Sequence, residues 1–132
     1  MSKNILYAIL VFVIIALAFI YFNKNKNEGN TSLYKKISQS DAKAMMDEGG
    51  VIILDVRTEE EFASGHIPNA LNHSSGKMST ISNTVPDKNA TILVYCRSGV
   101  RSRGAVSEMI KQGYTNVIDF GGIMSWKYDI VR

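Results

Sequence analysis

The chain has very little cysteine and histidine. Cys96 is the only cysteine among 132 residues, and His66 and His73 are the only histidines. One cysteine excludes an internal disulfide and a Cys-x-x-Cys redox pair, and these side chains are too few for the usual zinc site. We therefore predict a protein without a metal or other cofactor, in which any cysteine chemistry depends on one thiol.

An excess of charge of one sign is also missing from most of the chain. Residues 33–132 contain 12 Lys or Arg and 11 Asp or Glu, so most of the net charge of +3 comes from lysines near the N-terminus. A nearly neutral domain has no basic surface for nucleic acid, and nucleic-acid binding is not expected. About 100 residues are typical of a single domain with one core.

The N-terminal segment, by contrast, is rich in apolar residues. Ile5 to Phe22 is an unbroken run without a charged residue. As a helix it would be about 27 Å long, close to the roughly 30 Å of a bilayer's hydrocarbon core. Lys24 and Lys26 follow it, as expected at a membrane interface. The sequence predicts an N-terminal membrane anchor over residues 1–22, with a single transmembrane helix at 5–22.

A cleaved signal peptide is the alternative for this segment. Ala16-Leu17-Ala18 resembles a small-residue cleavage site, but four more apolar residues follow it. A cleaved chain would then begin with an apolar stretch, so an uncleaved anchor is the better prediction.

The side of the membrane is indicated by two opposing features. Lys3 precedes the apolar segment and more lysines follow it, which by the positive-inside rule favours a cytoplasmic domain. A short charged start followed by an apolar run is typical of a signal-anchor that exports the rest of the chain. Between the two, we favour the extracytoplasmic side.

The rest of the chain divides into a linker and one domain. Residues 23–32 (NKNKNEGNTS) are polar and predict a flexible linker. In residues 33–132, short apolar runs alternate with helical stretches, which is typical of an α/β domain with a mostly parallel sheet. We predict strands at 33–37, 51–54, 70–72, 91–95 and 117–120, and an irregular segment at 74–90 with one helical turn near 78–81.

Helix boundaries in this domain follow from local signals. Ser38 or Ser40 can cap a helix that ends at Gly49-Gly50, and Thr58 with Glu61 fits a capping box. Further helices are predicted from Ser102 to Gly113 and from Gly121-Gly122 through Trp126.

Cys96 stands where the predicted strand 91–95 ends and a Gly- and Arg-rich loop begins. The nucleophile of cysteine chemistry is the thiolate, and the pKa of a thiol falls at a helix N-terminus and beside cations. Since both features follow Cys96 at once, we predict that it is the catalytic residue. The alternative is a cysteine that only packs. The predicted substrate-binding residues are those of the loop: Arg97, Ser98, Gly99, Val100 and Arg101.

Other polar side chains have structural alternatives. Arg97 and Arg101 can bind oxyanions, or can form ion pairs with Asp55 or Glu61 that hold the loop. An ion pair between Arg57 and Glu61 is expected. His66 is expected to be a hydrogen-bonding spacer, and His73 carries no prediction.

Three separated segments resemble the signatures of the rhodanese family. The first is residues 54–62 with its continuation 65–72 (LDVRTEEEF and GHIPNALN), the second is the loop 96–101 (CRSGVR), and the third is 121–126 (GGIMSW). They occur in the family's order and span nearly the whole predicted domain. Each segment alone is a weak signal, whereas the three together are specific.

The resemblance implies a rhodanese-like α/β domain with a mostly parallel sheet flanked by helices. In that family the cysteine takes a sulfane sulfur from a donor such as thiosulfate, holds it as a persulfide, and passes it to cyanide or another thiophile. By the same resemblance Asp55 lies near the catalytic loop and orients an arginine, so Asp55 and Arg57 are the predicted supporting residues. Asn69 replaces a more usual glycine, which Asn tolerates. Ser98 replaces the lysine of two-domain thiosulfate enzymes, which leaves the donor open.

Two alternatives to a sulfurtransferase remain. A sulfur carrier or interaction module of rhodanese fold would load Cys96 without turnover, and its partner would be a protein sulfur acceptor. A phosphatase or arsenate reductase would need Cys-x5-Arg, but that spacing leads to Ser102 instead of an arginine. The expected partners are therefore a small sulfur donor, a thiophilic acceptor and, through the N-terminal helix, a membrane.

Overall fold

The computed structural model describes residues 2–28 and 33–132. They fall into an N-terminal helix and a domain that begins at Tyr34. Helix α1 comprises Lys3–Glu28. Its part Lys3–Phe22 has a mean hydropathy of 3.0 and is not buried. It would extend about 30 Å, so it is long and apolar enough to cross a membrane. A helix of this kind could be an anchor or a signal sequence.

Helix α1 continues beyond the predicted span. It ends at Glu28, so residues 23–28 of the predicted linker are helical. The remainder of that linker, residues 29–32, lies outside the described residues. Its flexibility stays a prediction.

The domain is a parallel sheet with helices on both faces, and the predicted fold class is confirmed. The strand order is β1-β5-β4-β2-β3, and every pairing is parallel. The strands are β1 Lys35–Lys36, β2 Ile52–Asp55, β3 Leu71–Asn72, β4 Thr91–Cys96 and β5 Asn116–Gly122. The helices are α2 Gln39–Glu48, α3 Glu59–Ser64, α4 Ile81–Thr84 and α5 Val100–Lys111, with 3-10 helices at Ser75–Thr80 and Ile123–Ser125.

The central strand β4 contributes to two cores because its side chains alternate between the faces of the sheet. Ile92, Val94 and Cys96 belong to the core under α5. Leu93 and Tyr95 belong to the core on the other face, together with residues of α2. The unbroken apolar run of β4 is thus explained, since a strand covered on both faces has no solvent side.

Local capping signals were predicted correctly. The Ser38 hydroxyl accepts a hydrogen bond from the Asp41 N–H at the start of α2. The Thr58 and Glu61 capping box forms at the start of α3. Both motifs depend on residues within one helical turn, so the sequence pattern contains all the information they need.

Three other predictions were wrong. Helix α5 begins at Val100 instead of Ser102, because Gly99 at φ 104° turns the loop directly into the helix without a side-chain cap. No helix contains Trp126, because β5 extends to Gly122 and only the 3-10 helix Ile123–Ser125 follows. The segment 74–90 is more helical than expected, with the 3-10 helix Ser75–Thr80 and α4 packed under the sheet.

Candidate active site

Cys96 lies at the carboxyl end of β4, in the middle of the sheet. Its side chain is completely buried, and its backbone pairs with Gly122 of β5. In open parallel sheets, binding sites form at the carboxyl ends of the strands. Cys96 therefore lies at the edge of the sheet where such sites form, although its sulfur lies below the protein surface.

The loop after Cys96 curls back over the sulfur. The Gly99 N–H donates a hydrogen bond to Cys96 Sγ at 3.0 Å. Gly99 has a φ of 104°, in the left-handed region that favours glycine, and α5 starts at the next residue. The amide and the helix N-terminus both place positive partial charge beside the sulfur, so this arrangement stabilises an anion there.

Gly122 forms the back wall of the loop. A Cβ at this position would lie 2.1 Å from the Arg97 carbonyl oxygen and 2.7 Å from Ser98 Cα. The Met124 N–H donates to the same Arg97 oxygen at 3.1 Å. Gly122 was predicted to begin a helix, whereas its role is to let two backbone segments pack in direct contact. The adjacent glycines Gly121 and Gly122 were the signal in the sequence that could have indicated this close backbone contact.

Arg101, a predicted substrate-binding residue, forms an ion pair with Glu61. Its two terminal nitrogens donate to the two carboxylate oxygens of Glu61 at 2.7 and 2.9 Å. The Arg101 hydrogen bond lowers the pKa of Glu61 to about 2, with the Thr58 hydrogen bonds as a lesser cause. The alternative expectation, an ion pair that ties the loop to the domain, is the arrangement observed. The predicted pair of Arg57 with Glu61 is wrong.

Arg57 instead pairs with Asp55, inside the domain. Arg57 Nε and Nη2 donate to the Asp55 carboxylate at 2.7 to 3.1 Å. Nη2 also donates to the Gly65 carbonyl at 2.7 Å. Although burial opposes it, the hydrogen bonds and charge of Asp55 raise the pKa of Arg57. Asp55 therefore orients Arg57, and the pair fixes the turn that follows α3.

The remaining loop residues form the open side of the site. Arg97, Ser98 and Val100 are exposed, and Val100 and Arg101 line a shallow groove with Ser75, Gly76 and Ser79. The segment 74–90, whose role the sequence did not reveal, thus borders the loop. An incoming molecule meets cationic and small side chains here.

A buried polar network that sequence analysis missed lies behind the sulfur. Ser102 Oγ is 3.6 Å from Cys96 Sγ and 3.0 Å from Asp119 Oδ1. The Tyr34 hydroxyl donates to Asp119 Oδ2 at 2.5 Å. Burial and the hydrogen bond to Asp119 raise the pKa of Tyr34 to about 12. The available signal was an aspartate within the otherwise apolar run 117–120 of β5.

The two histidines have structural contacts. His66 stacks on Phe62 with ring centroids 3.7 Å apart and hydrogen-bonds the Phe62 carbonyl, in agreement with the expected spacer role. His73 hydrogen-bonds Thr84 and the Lys77 carbonyl, which ties the bordering segment together. Among residues 2–28 and 33–132, no group of His, Cys, Asp or Glu side chains could hold a metal ion.

The comparison with known families decides the classification. The family model of the rhodanese-like domain matches residues 38–129, well over half of the chain. The chain belongs to the rhodanese family. This confirms the resemblance drawn from the three signature segments.

Several similar proteins are named sulfurtransferases. The thiosulfate sulfurtransferase GlpE of Coxiella burnetii is 33% identical over 96 residues, which cover 72% of this chain and 89% of that protein. A sulfurtransferase of Allochromatium vinosum is 36% identical over 90 residues, or 67% and 83% of the two chains. The solved structure of a rhodanese with anions from E. coli matches with a TM-score of 0.57 and 33% identity, over 61% of this chain and 96% of that one. These relatives support sulfurtransferase activity here.

Proposed function

We propose that this rhodanese transfers a sulfane sulfur from a donor such as thiosulfate to cyanide or a thiol, through a persulfide on Cys96. The observation that carries the proposal is the hydrogen bond from the Gly99 amide to Cys96 Sγ at 3.0 Å, made at the start of α5. Such a cradle suits an anionic sulfur both before and after it accepts a second sulfur atom.

In the first half of the cycle the Cys96 thiolate attacks the outer sulfur of thiosulfate. A bond forms between Sγ and that sulfur, the bond to the SO₃ group breaks, and sulfite leaves with the electron pair. In the second half, cyanide or a thiolate attacks the outer sulfur of the persulfide. Thiocyanate or a new persulfide then leaves, and the Cys96 thiolate is restored.

The arginines at the entrance have different roles in this scheme. Arg97 is exposed, and it can attract an anionic donor to the loop. Arg101 is held by Glu61, so it positions the loop and contacts a donor only when that ion pair opens. The buried pair of Asp55 and Arg57 supports the adjacent turn without reaching the reacting atoms.

A sulfur carrier is the second candidate, favoured by the complete burial of Cys96. A sulfur held below the surface is protected from most acceptors, which suits delivery to one partner protein. The phosphatase alternative has no such support, since Ser102 occupies the position at which that loop needs its arginine.

The test uses the full-length chain in mild detergent. After incubation with thiosulfate, intact mass spectrometry should show the addition of one sulfur atom, and cyanide should then release thiocyanate at a steady rate. Cys96→Ser should abolish both signals. Loading without turnover would support the carrier instead, and loading that persists in Cys96→Ser would contradict the site.

We also propose that α1 anchors the domain to a membrane, with the domain on the extracytoplasmic side. Because Cys96 is buried, the topology is best tested with the exposed position Lys111. Lys111→Cys in a Cys96→Ser background should react with a membrane-impermeant thiol reagent on intact cells. Reaction only after cell lysis would place the domain in the cytoplasm.

A further inference from the structure

Behind the nucleophile, three polar side chains form a continuous buried line. Cys96 and Ser102 are fully buried, and Asp119 is 1% exposed. Ser102 Oγ contacts Cys96 Sγ at 3.6 Å on one side and Asp119 Oδ1 at 3.0 Å on the other. The rhodanese loop signature Cys96 to Arg101 ends before Ser102, and the scheme above gives neither Ser102 nor Asp119 a role.

The direction of these hydrogen bonds follows from Ser102, which has a single hydroxyl proton. Its acceptors are Asp119 Oδ1 at 3.0 Å, the Gly99 carbonyl at 3.1 Å and the Gly121 carbonyl at 3.5 Å. A carboxylate is a stronger acceptor than a carbonyl, so the proton points to Asp119. The hydroxyl then presents a lone pair to the sulfur, to which a thiol S–H can donate.

Asp119 is a buried acid without a cationic partner among residues 33–132. Its carboxylate accepts hydrogen bonds from the Tyr34 hydroxyl and, at 2.9 Å, from the Gly121 N–H, but forms no ion pair with a Lys or Arg of this range. Burial disfavours a charged carboxylate, and a second anion nearby disfavours it further. A thiolate at Cys96 would be that second anion.

We propose that Cys96 and Asp119 share one proton through Ser102. The thiol proton passes from Cys96 Sγ to Ser102 Oγ as the Ser102 hydroxyl proton passes to Asp119 Oδ1. The products are a Cys96 thiolate and a neutral Asp119 carboxylic acid, so the number of buried charges does not change. The negative charge moves from a carboxylate without a cation to a sulfur at the start of α5, beside the Gly99 amide.

Other ionisable groups face this line, and their presence defines the controls. Tyr34 contacts Asp119 directly, and the Arg103 guanidinium lies 6.0 Å from the Tyr34 ring. On the loop side, Arg101 faces Cys96, and its guanidinium is paired with Glu61. Asp55, at the end of the neighbouring strand β2, is neutralised by Arg57.

The test is the pH dependence of Cys96 alkylation by iodoacetamide, a small probe, in the full-length chain. If the proton is shared, Asp119→Asn should react at least about tenfold more slowly than the wild-type protein at mildly acidic pH, because the thiol loses its proton acceptor. This is a shift of about one pH unit or more. At alkaline pH the two proteins should react alike, since the thiol then loses its proton to solvent.

The opposite result has a clear meaning. If Asp119 were only a neighbouring negative charge, its removal would make the thiolate easier to form, and Asp119→Asn would react faster at acidic pH. A faster or unchanged reaction would therefore overturn the proposal. The shared proton would serve the proposed sulfur transfer, and in that sense it rests on the proposed function. Because alkylation uses no sulfur donor, however, the shared proton and the sulfur transfer can each be disproved without the other.

Matched variants distinguish loss of the proton path from loss of folding. Circular dichroism checks that each variant is folded. Ser102→Ala should slow the acidic reaction as Asp119→Asn does, and Ser102→Thr, which keeps a hydroxyl, should restore it. Tyr34→Phe removes an Asp119 hydrogen bond outside the proton path, and should not slow the acidic reaction. Slowing by Tyr34→Phe equal to that of Asp119→Asn, or normal reaction of Ser102→Ala, would overturn the shared proton.

Discussion

The domain contains two arginine–carboxylate pairs of the same chemistry in different surroundings. The side chains of Arg57 and Asp55 are 6% and 0% exposed, whereas those of Arg101 and Glu61 are 34% and 29% exposed. Each arginine donates more than one hydrogen bond to its carboxylate. Both pairs lie near the Cys96 loop, so their comparison isolates the effect of burial.

Burial determines what each pair can do. A buried pair is costly to break, because the remaining partner is left as an isolated charge in the protein interior. A half-exposed pair contributes little, since water and salt compete for both partners. The pair of Asp55 with Arg57 is therefore part of the structural framework. The pair of Arg101 with Glu61 can open, and Arg101 can then bind an anion in place of Glu61.

The largest expected effect comes from breaking the buried pair. Arg57→Met should lower the free energy of unfolding by about 3–5 kcal/mol, because it leaves the Asp55 carboxylate buried and uncompensated. Arg101→Met is the matched control and should cost about 1 kcal/mol or less. Urea denaturation measures both. Equal losses in the two variants would mean that burial does not separate these pairs.

Breaking the exposed pair from its acidic side should change substrate binding more than stability. Glu61→Gln keeps the helix cap, since Gln also fits the capping box, but it releases the Arg101 guanidinium. The KM for thiosulfate should fall several-fold at low salt, because the released guanidinium can bind the anion. This corresponds to about 1 kcal/mol, which is typical of an exposed charge pair. Arg101→Met in the same assay should not lower KM. A raised KM in Glu61→Gln would show that the pair is needed to shape the loop.

The smallest effect should appear in the acid dependence of stability. In the folded chain the pKa of Glu61 is lowered from its usual 4.5 to about 2. The stabilisation by the ionised Glu61 carboxylate is thus fully present above pH 4.5. It is lost as the pH falls from 4.5 towards the folded-state pKa of about 2. The stability difference between wild type and Glu61→Gln should shrink between these pH values, and thermal melts at several pH values would detect this. A constant difference would contradict the lowered pKa.

These pairs also show how far the sequence could predict the site. The capping box of Thr58 and Glu61 and the Cys96 loop depend on near neighbours in the chain, and they were predicted. The partner of Arg57 was not, because Glu61 and Asp55 are both close in sequence. The choice between them depends on which carboxylate the sheet buries, and that is a tertiary effect.

Features that join distant segments were the hardest to predict. Ser102 and Asp119 are separated by 17 positions, and only the pairing of β4 with β5 brings them behind the sulfur. The same pairing extends β5 to Gly122, so the helix predicted from Gly121-Gly122 through Trp126 does not form. The fold class, in contrast, was predicted correctly from the family signatures, since three of them together specify the fold.

The contact between Gly122 and the Arg97 carbonyl has a practical consequence for protein engineering. Because main chain packs against main chain there, the loop cannot be transplanted alone into a different α/β scaffold. A functional graft must carry both the six residues that begin with Cys96 and the Gly121-Gly122 step, which is about twenty-five residues away in sequence. Chimeras that exchange only one of the two segments between relatives should fail wherever the second strand supplies a side chain at that step.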